Sequence, residues 1–99
     1  MENFYFSKSS PPHQIMFYVY ILKSKKDSKF YIGFTDNLRR RFKEHSNSKV
    51  LSTKLRTPFD LVYYEAYKSK KDAIKRKQNL KLRSKAFTQL KKRTEESII

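Results

Sequence analysis

The sequence has no cysteine, no tryptophan and only one glycine among its 99 residues. Without cysteine, the chain forms no disulfide, offers no thiolate to zinc and has no cysteine nucleophile. No apolar run approaches the ~20 residues that a membrane-spanning helix needs. Residues 1–15 also lack the apolar core of a signal peptide. These absences leave the redox compartment open and predict a soluble protein with a cytoplasmic location.

Acidic residues are scarce, with nine Asp and Glu against 24 Lys and Arg, a net charge of +15 and a pI near 10.1. Half of the basic residues fall between Lys68 and Arg93, where Asp72 is the single acid. Such a surplus of positive charge is typical of proteins with a polyanionic partner, most often nucleic acid. A basic structural or ribosome-associated protein would carry the same charge, so composition alone leaves that alternative open.

Three short segments have the composition of β-strands. Aromatic and β-branched residues dominate Met16–Lys23 and Phe30–Phe34, and the charged link between these segments predicts a β-hairpin. A third strand is expected over Phe59–Tyr67, directly after Pro58.

A helix is predicted over about Asn37–Asn47. Leu38 and Phe42 recur four residues apart and give this helix an apolar face. Arg41 and His45 have the same spacing, which places them one turn apart on a common face.

The hairpin and the helix together bring Tyr20, Tyr31, Arg41 and His45 into one neighbourhood. Two phenols, a guanidinium and an imidazole indicate phosphate chemistry. Each residue also has an ordinary structural interpretation: the tyrosines as sheet aromatics, Arg41 as a surface residue, and His45 as a cation that complements the helix dipole.

The second half of the chain predicts two more helices. Ser69–Asp72 has the spacing of a capping box, and Ala73, Ile74 and Leu80 form the apolar stripe of the helix that follows. Lys77 falls on the same stripe and should therefore face the core or a cleft.

Ser84 is a candidate cap for a final helix with Ala86, Phe87 and Leu90 inward. We predict one folded domain over residues 16–93. Residues 1–15 are expected to form a flexible extension, and residues 94–99 a fraying tail.

Several motifs match one known family in order and spacing. They are Val19-Tyr20-Ile21, Tyr31-Ile32-Gly33, the Thr-x-Asn-Leu-x-x-Arg run that ends at Arg41, His45, Leu61-Val62-Tyr63-Tyr64-Glu65, and Ala73-x-x-Arg-x-x-x-Leu-Lys. In these motifs the chain resembles the GIY-YIG nuclease superfamily. It resembles most its small single-domain bacterial members, which are similar to the N-terminal nuclease module of a DNA-repair excinuclease.

The resemblance implies an α+β fold, with a three-stranded antiparallel sheet flanked by helices. It also implies a monomeric phosphodiesterase that depends on Mg²⁺ or Mn²⁺ and cuts DNA, including branched or damaged DNA. Tyr31 would activate the attacking water, and Arg41 would bind the scissile phosphate. Tyr20 and His45 would support proton transfer and orientation.

Basic residues on both sides of this site are expected to contact the nucleic acid. They are Arg39, Arg40, Lys43, Lys54, Arg76 and Lys81.

The sequence departs from the family pattern at two positions. Tyr18 replaces a glycine of the family pattern, and a strand accommodates tyrosine more readily than glycine. Lys77 replaces the glutamate that holds the divalent cation in the family, and a charged lysine neither ligates nor attracts such an ion. Glu65 is one candidate replacement ligand, and slow metal-free cleavage assisted by Lys77 is another possibility. We therefore predict an endonuclease weakened by Lys77, with a nucleic-acid-binding module that no longer cuts as the alternative.

Overall fold

A computed structural model describes residues 15–81 and 85–98. In chain order its elements are β1 (Phe17–Ser24), β2 (Phe30–Thr35), α1 (Leu38–Ser46), a 3₁₀ turn (Lys54–Arg56), β3 (Phe59–Tyr67), α2 (Lys70–Lys81), α3 (Lys85–Arg93) and α4 (Glu95–Ile98). The predicted extension, apart from the exposed Ile15, and the predicted cap Ser84 lie outside the described residues.

The three strands form one antiparallel sheet in the order β2-β1-β3. The predicted hairpin is present, and its register pairs Tyr18 with Thr35 and Lys23 with Phe30. Helices flank this sheet, so the expected α+β fold class is confirmed.

The central strand β1 is covered on both faces, because four consecutive residues, Val19–Leu22, are buried. Alternate side chains of a strand point to opposite faces. Val19 and Ile21 pack in one apolar cluster with residues of α2 and α3, whereas Tyr20 and Leu22 pack in a second cluster with residues of α1. The position of Tyr20 on the α1 face decides the location of the candidate site.

The helices use the residues that the sequence predicted. Ala73, Leu80 and Leu90 are buried, and the Ser69 hydroxyl accepts a hydrogen bond from the backbone N–H of Asp72 (3.2 Å) at the start of α2. None of the helices in the described part of the chain has the length and apolarity needed to cross a bilayer.

The C-terminal end is more ordered than the sequence predicted. We expected residues from Thr94 onward to fray, but Glu95–Ile98 form α4. Ile98 is 5% exposed, and the Thr94 hydroxyl donates to the Leu90 carbonyl (2.7 Å). Burial of one apolar side chain and capping of α3 explain this extra helical turn.

The segment between α1 and β3 folds back onto the hairpin. The Ser24 hydroxyl donates to the carbonyl of Arg56 (2.6 Å), and the backbone N–H of Lys25 donates to the carbonyl of Pro58 (2.8 Å). These contacts hold the segment close to the sheet and place Thr53 against α1.

Candidate active site

A hydrogen-bonded chain of three buried residues lies between β1, α1 and the loop that follows α1. The hydroxyl of Tyr20 is 2.9 Å from Nε2 of His45, and Nδ1 of His45 is 2.8 Å from the Thr53 hydroxyl. All three side chains are at most 1% exposed. Both ring nitrogens of His45 are therefore occupied by protein groups.

The hydrogen-bond pattern assigns the tautomer of His45. The Thr53 hydroxyl lies 3.5 Å from the Val50 carbonyl, which only accepts, so the hydroxyl is free to accept from Nδ1–H of His45. Nε2 then accepts from the hydroxyl of Tyr20. This arrangement fixes both the imidazole and the proton of Tyr20.

His45 is neutral at pH 7. Burial, together with the nearby positive charge of Arg41, lowers the pKa of His45 to about 4. Complementing the helix dipole requires a charged imidazolium. The simpler structural interpretation of His45 is therefore wrong, because its imidazole is uncharged and fully enclosed.

Tyr20 is also held in its protonated form. Burial raises the pKa of Tyr20 to about 12, an effect that the adjacent Arg41 guanidinium partly offsets. Tyr20 therefore acts as a hydrogen-bond donor at neutral pH.

The single glycine of the chain makes room for Tyr20. A Cβ atom at Gly33 would lie 2.3 Å from Cζ and from the hydroxyl of Tyr20. Since Gly33 has no positive φ, the close approach of the ring, and not the backbone conformation, requires glycine here.

Tyr31 lies in the same cluster but closer to the surface. Its ring centroid is 5.0 Å from that of His45 and 6.3 Å from that of Tyr20. Tyr31 is half-buried, and β2, which carries it, is an edge strand. Of the two tyrosines, Tyr31 is the one accessible to a substrate.

Arg41 lies one helical turn before His45 and beside Tyr20. It donates a hydrogen bond from Nη1 to Oε1 of Glu44 (3.0 Å), and its side chain is 35% exposed. The hydrogen bond with Glu44 and the proximity of Tyr20 raise the pKa of Arg41, despite the opposing effect of burial. The guanidinium is thus charged, held in place and partly open to solvent.

Two cavities border the site. One of about 290 Å³ is lined by Thr35, Arg41 and Lys70, among others, and one of about 240 Å³ by Tyr31 and Lys81, among others. On α2, Lys77 follows Lys70 by seven residues and precedes Lys81 by four, so the three lysines lie along one side of the helix. Lys77 is half-buried and lies on this side between the two lysines that line the cavities.

At the position where the resemblance places a metal-binding glutamate, the described residues have the half-buried Lys77. They contain no group of three His, Asp or Glu side chains placed to hold a metal ion. Glu65 is no replacement ligand, because it accepts two hydrogen bonds from Arg76 (2.9 Å each) and one each from Tyr63 and Tyr67. Burial alone would raise the pKa of Glu65, but these hydrogen bonds lower it below its usual value.

Five of the six predicted nucleic-acid contacts are exposed: Arg39, Arg40, Lys43, Lys54 and Lys81. Arg76 differs, because its guanidinium is engaged by Glu65 and its side chain is 22% exposed. Arg76 therefore bridges α2 and β3, and its contact with nucleic acid stays a prediction.

Three residues of this site had no role assigned from the sequence. Glu44 was detectable in principle, because it lies three residues after Arg41 on the same helix. The contact of Gly33 with Tyr20 follows from the strand register, which places these residues opposite each other. No local signal marks Thr53, which reaches His45 only because the loop folds back.

The family model of the GIY-YIG catalytic domain matches residues 16–93. A UPF0213 protein of Clostridium perfringens is 43% identical over 67 residues, which cover 67% of this chain and 71% of the relative. A UPF0213 protein of Natronomonas pharaonis is 40% identical over 70 residues, covering 70% and 81% of the two chains. The solution NMR structure of the UPF0213 protein BH0048 from Bacillus halodurans shares 39% identity, covers 67% of this chain and 70% of that one, and has a TM-score of 0.44.

Proposed function

Since this chain belongs to the GIY-YIG family, whose members are nuclease-type enzymes acting on nucleic acid, we propose that it is a DNA endonuclease weakened by Lys77. The observation that carries this proposal is the cluster of Tyr20, Tyr31, Arg41 and His45 around one end of α1. Three aromatic pairs, one hydrogen bond and the contact of Arg41 with Tyr20 join these side chains.

Arg41 is the proposed phosphate ligand. Hydrolysis of a phosphodiester increases the negative charge on the phosphoryl oxygens in the transition state, and a guanidinium already in place stabilises that charge. Arg41 has the required charge and exposure, and its contacts with Glu44 and Tyr20 restrict its orientation. A bound phosphate has to share Arg41 with Glu44.

Tyr31 is the proposed group that orients and activates the attacking water. Tyr20 does not suit this role, because it is buried, protonated and directed at His45. Tyr31 is half-buried on the edge strand and packs against His45 and Tyr20.

Tyr20 and His45 are proposed to position the site. A histidine whose pKa is about 4 and whose two nitrogens are both hydrogen-bonded is a poor proton acceptor at pH 7. The hydrogen bond between His45 and Tyr20 fixes the ring of Tyr20, and Tyr31 and Arg41 pack against that ring.

Lys77 is the reason to expect weak activity. In the family, a divalent cation at this place neutralises phosphate charge, and the described residues here present an ammonium group and no carboxylate cluster. The same observation favours a second candidate function, a DNA-binding module that retains the cleft and the basic surface but does not cut.

Nicking of supercoiled plasmid by the natural chain, with Mg²⁺ or Mn²⁺, separates the two candidates. We expect slow nicking that Arg41→Ala and Tyr31→Phe abolish and that Arg93→Ala, a matched change at an exposed arginine of α3, leaves in place. Absence of nicking, combined with duplex binding that weakens steeply with salt, would favour the binding module. Nicking that is insensitive to Arg41→Ala would refute the site.

A further inference from the structure

A groove lies on the other side of α1 from the candidate active site. Its volume is about 740 Å³, within the range of about 300–1,000 Å³ typical of ligand sites. Tyr18 and Tyr64 line it from the sheet, and Phe42, Arg39 and Lys43 line it from α1.

The groove is separate from the site at Arg41. Residues two apart on a helix do not share a face, so Arg39 and Arg41 point to different sides of α1. Arg39 and Lys43 line the groove beside β3, which forms the opposite edge of the sheet from the strand that carries Tyr31.

Two aromatic rings form the floor of this groove. The rings of Tyr18 and Tyr64 meet edge to face, with centroids 6.0 Å apart and an interplanar angle of 63°. Tyr64 is 52% exposed, although large hydrophobic side chains generally gain from burial. An edge-to-face pair that stays this exposed leaves a ring surface on which another flat ring can stack.

The rim of the groove is positively charged. Arg39 and Lys43 are exposed and lie one helical turn apart, and within residues 15–81 and 85–98 neither has an ion-pair partner. The acid that also lines the groove, Asp36, is paired with Arg40 (3.4 Å). An occupant should therefore combine a flat ring with negative charge.

We propose that this groove binds an unpaired nucleotide of single-stranded DNA, with the base on Tyr64 and the phosphates beside Arg39 and Lys43. Aromatic side chains inside a basic groove are the usual means of holding single strands, because every base has a face that stacks. Bases inside a duplex are already stacked and cannot reach Tyr64. The inference deepens the proposed function, since it gives a DNA-cutting domain a preference for substrates with unpaired bases.

Fluorescence anisotropy tests the proposal with the full chain, a labelled short oligothymidylate and a blunt duplex of the same length. Tyr64→Ala should weaken oligothymidylate binding at least about fivefold, since stacking contributes about 1–3 kcal/mol per base. Tyr64→Phe retains the ring and should bind like the natural chain. Duplex affinity should change less than about twofold in both variants, a difference below 0.5 kcal/mol.

Two controls test whether the effect is local. Leu55→Ala shortens another exposed apolar side chain and should leave oligothymidylate binding unchanged. Arg39→Gln with Lys43→Gln should weaken it more than Lys71→Gln with Lys75→Gln, which removes two exposed charges from α2.

The proposal would be overturned if the two double variants lost equal affinity for oligothymidylate. It would also be overturned if Tyr64→Ala had no effect on that affinity, or weakened duplex binding to the same extent. All of these outcomes are read from binding alone, without cleavage. Failure of the groove is therefore distinguishable from failure of the nuclease proposal, which is measured by nicking.

Discussion

The hydroxyl of Tyr20 lies 2.9 Å from Nε2 of His45, and this buried contact joins β1 to α1 across 25 positions of the sequence. His45 is in turn bonded to Thr53. These two hydrogen bonds give each polar group a defined partner in the protein interior. Tyr31 and Arg41, the residues proposed to contact the phosphate, pack against the bonded side chains. This arrangement leads to three predictions, and Lys77 leads to a fourth.

Replacing Thr53 tests the first of them. Thr53→Val keeps the shape of the side chain but leaves Nδ1–H of His45 buried without an acceptor. We expect a loss of about 1–3 kcal/mol in the free energy of unfolding, measured by urea titration. Thr53→Ser retains the hydroxyl and should cost clearly less. If valine and serine destabilise the protein equally, the hydrogen bond does not hold His45 in the way described.

The depressed pKa of His45 predicts a pH dependence of stability. Its pKa is about 4 in the folded protein against 6.5 ordinarily, so the unfolded chain binds more protons between these values. The contribution of His45 is therefore fully present above pH 6.5 and is lost as the pH falls towards 4. Its size is about 3 kcal/mol, taking 1.36 kcal/mol for each pH unit.

The measurement is the free energy of unfolding of the natural chain and of His45→Gln across this range. Carboxylates titrate in both proteins, so the difference between the two curves isolates His45. A difference that does not change between pH 4 and 6.5 would contradict the neutral, buried imidazole.

Gly33→Ala should destabilise the fold by about 1–3 kcal/mol, because its Cβ would overlap the ring of Tyr20. In a Tyr20→Leu background the ring is absent and the same change should cost less. A double-mutant cycle by thermal or urea unfolding measures this coupling, which we expect to exceed about 0.5 kcal/mol. Additive costs would show that Gly33 is required for another reason.

Local patterns predicted much of the fold. The paired apolar runs predicted the hairpin, and the spacing of Ala73 and Leu80 predicted the buried face of α2, because these features depend on period and composition. The sequence did not predict α4, since four residues carry too little pattern and Ile98 is fixed only by tertiary packing.

The candidate site was also predictable only in part. Tyr20, Tyr31, Arg41 and His45 were predictable from motif spacing, and the structure brings them together. The bond from Thr53 and the engagement of Arg76 by Glu65 depend on a returning loop and on helix packing, which no local spacing encodes.

The most direct test is at Lys77, where we propose that an ammonium group stands in the place of a needed metal-binding carboxylate. The measurement is the rate of plasmid nicking by Lys77→Glu with Mg²⁺ or Mn²⁺. The matched control Lys75→Glu makes the same charge change at an exposed position of α2. We predict at least about a tenfold gain for Lys77→Glu, equivalent to ~1.4 kcal/mol of barrier, and no gain for Lys75→Glu. The contrary result is robust nicking by the natural chain, with no increase in Lys77→Glu and no change in Lys77→Ala. This result would contradict the proposed effect of Lys77.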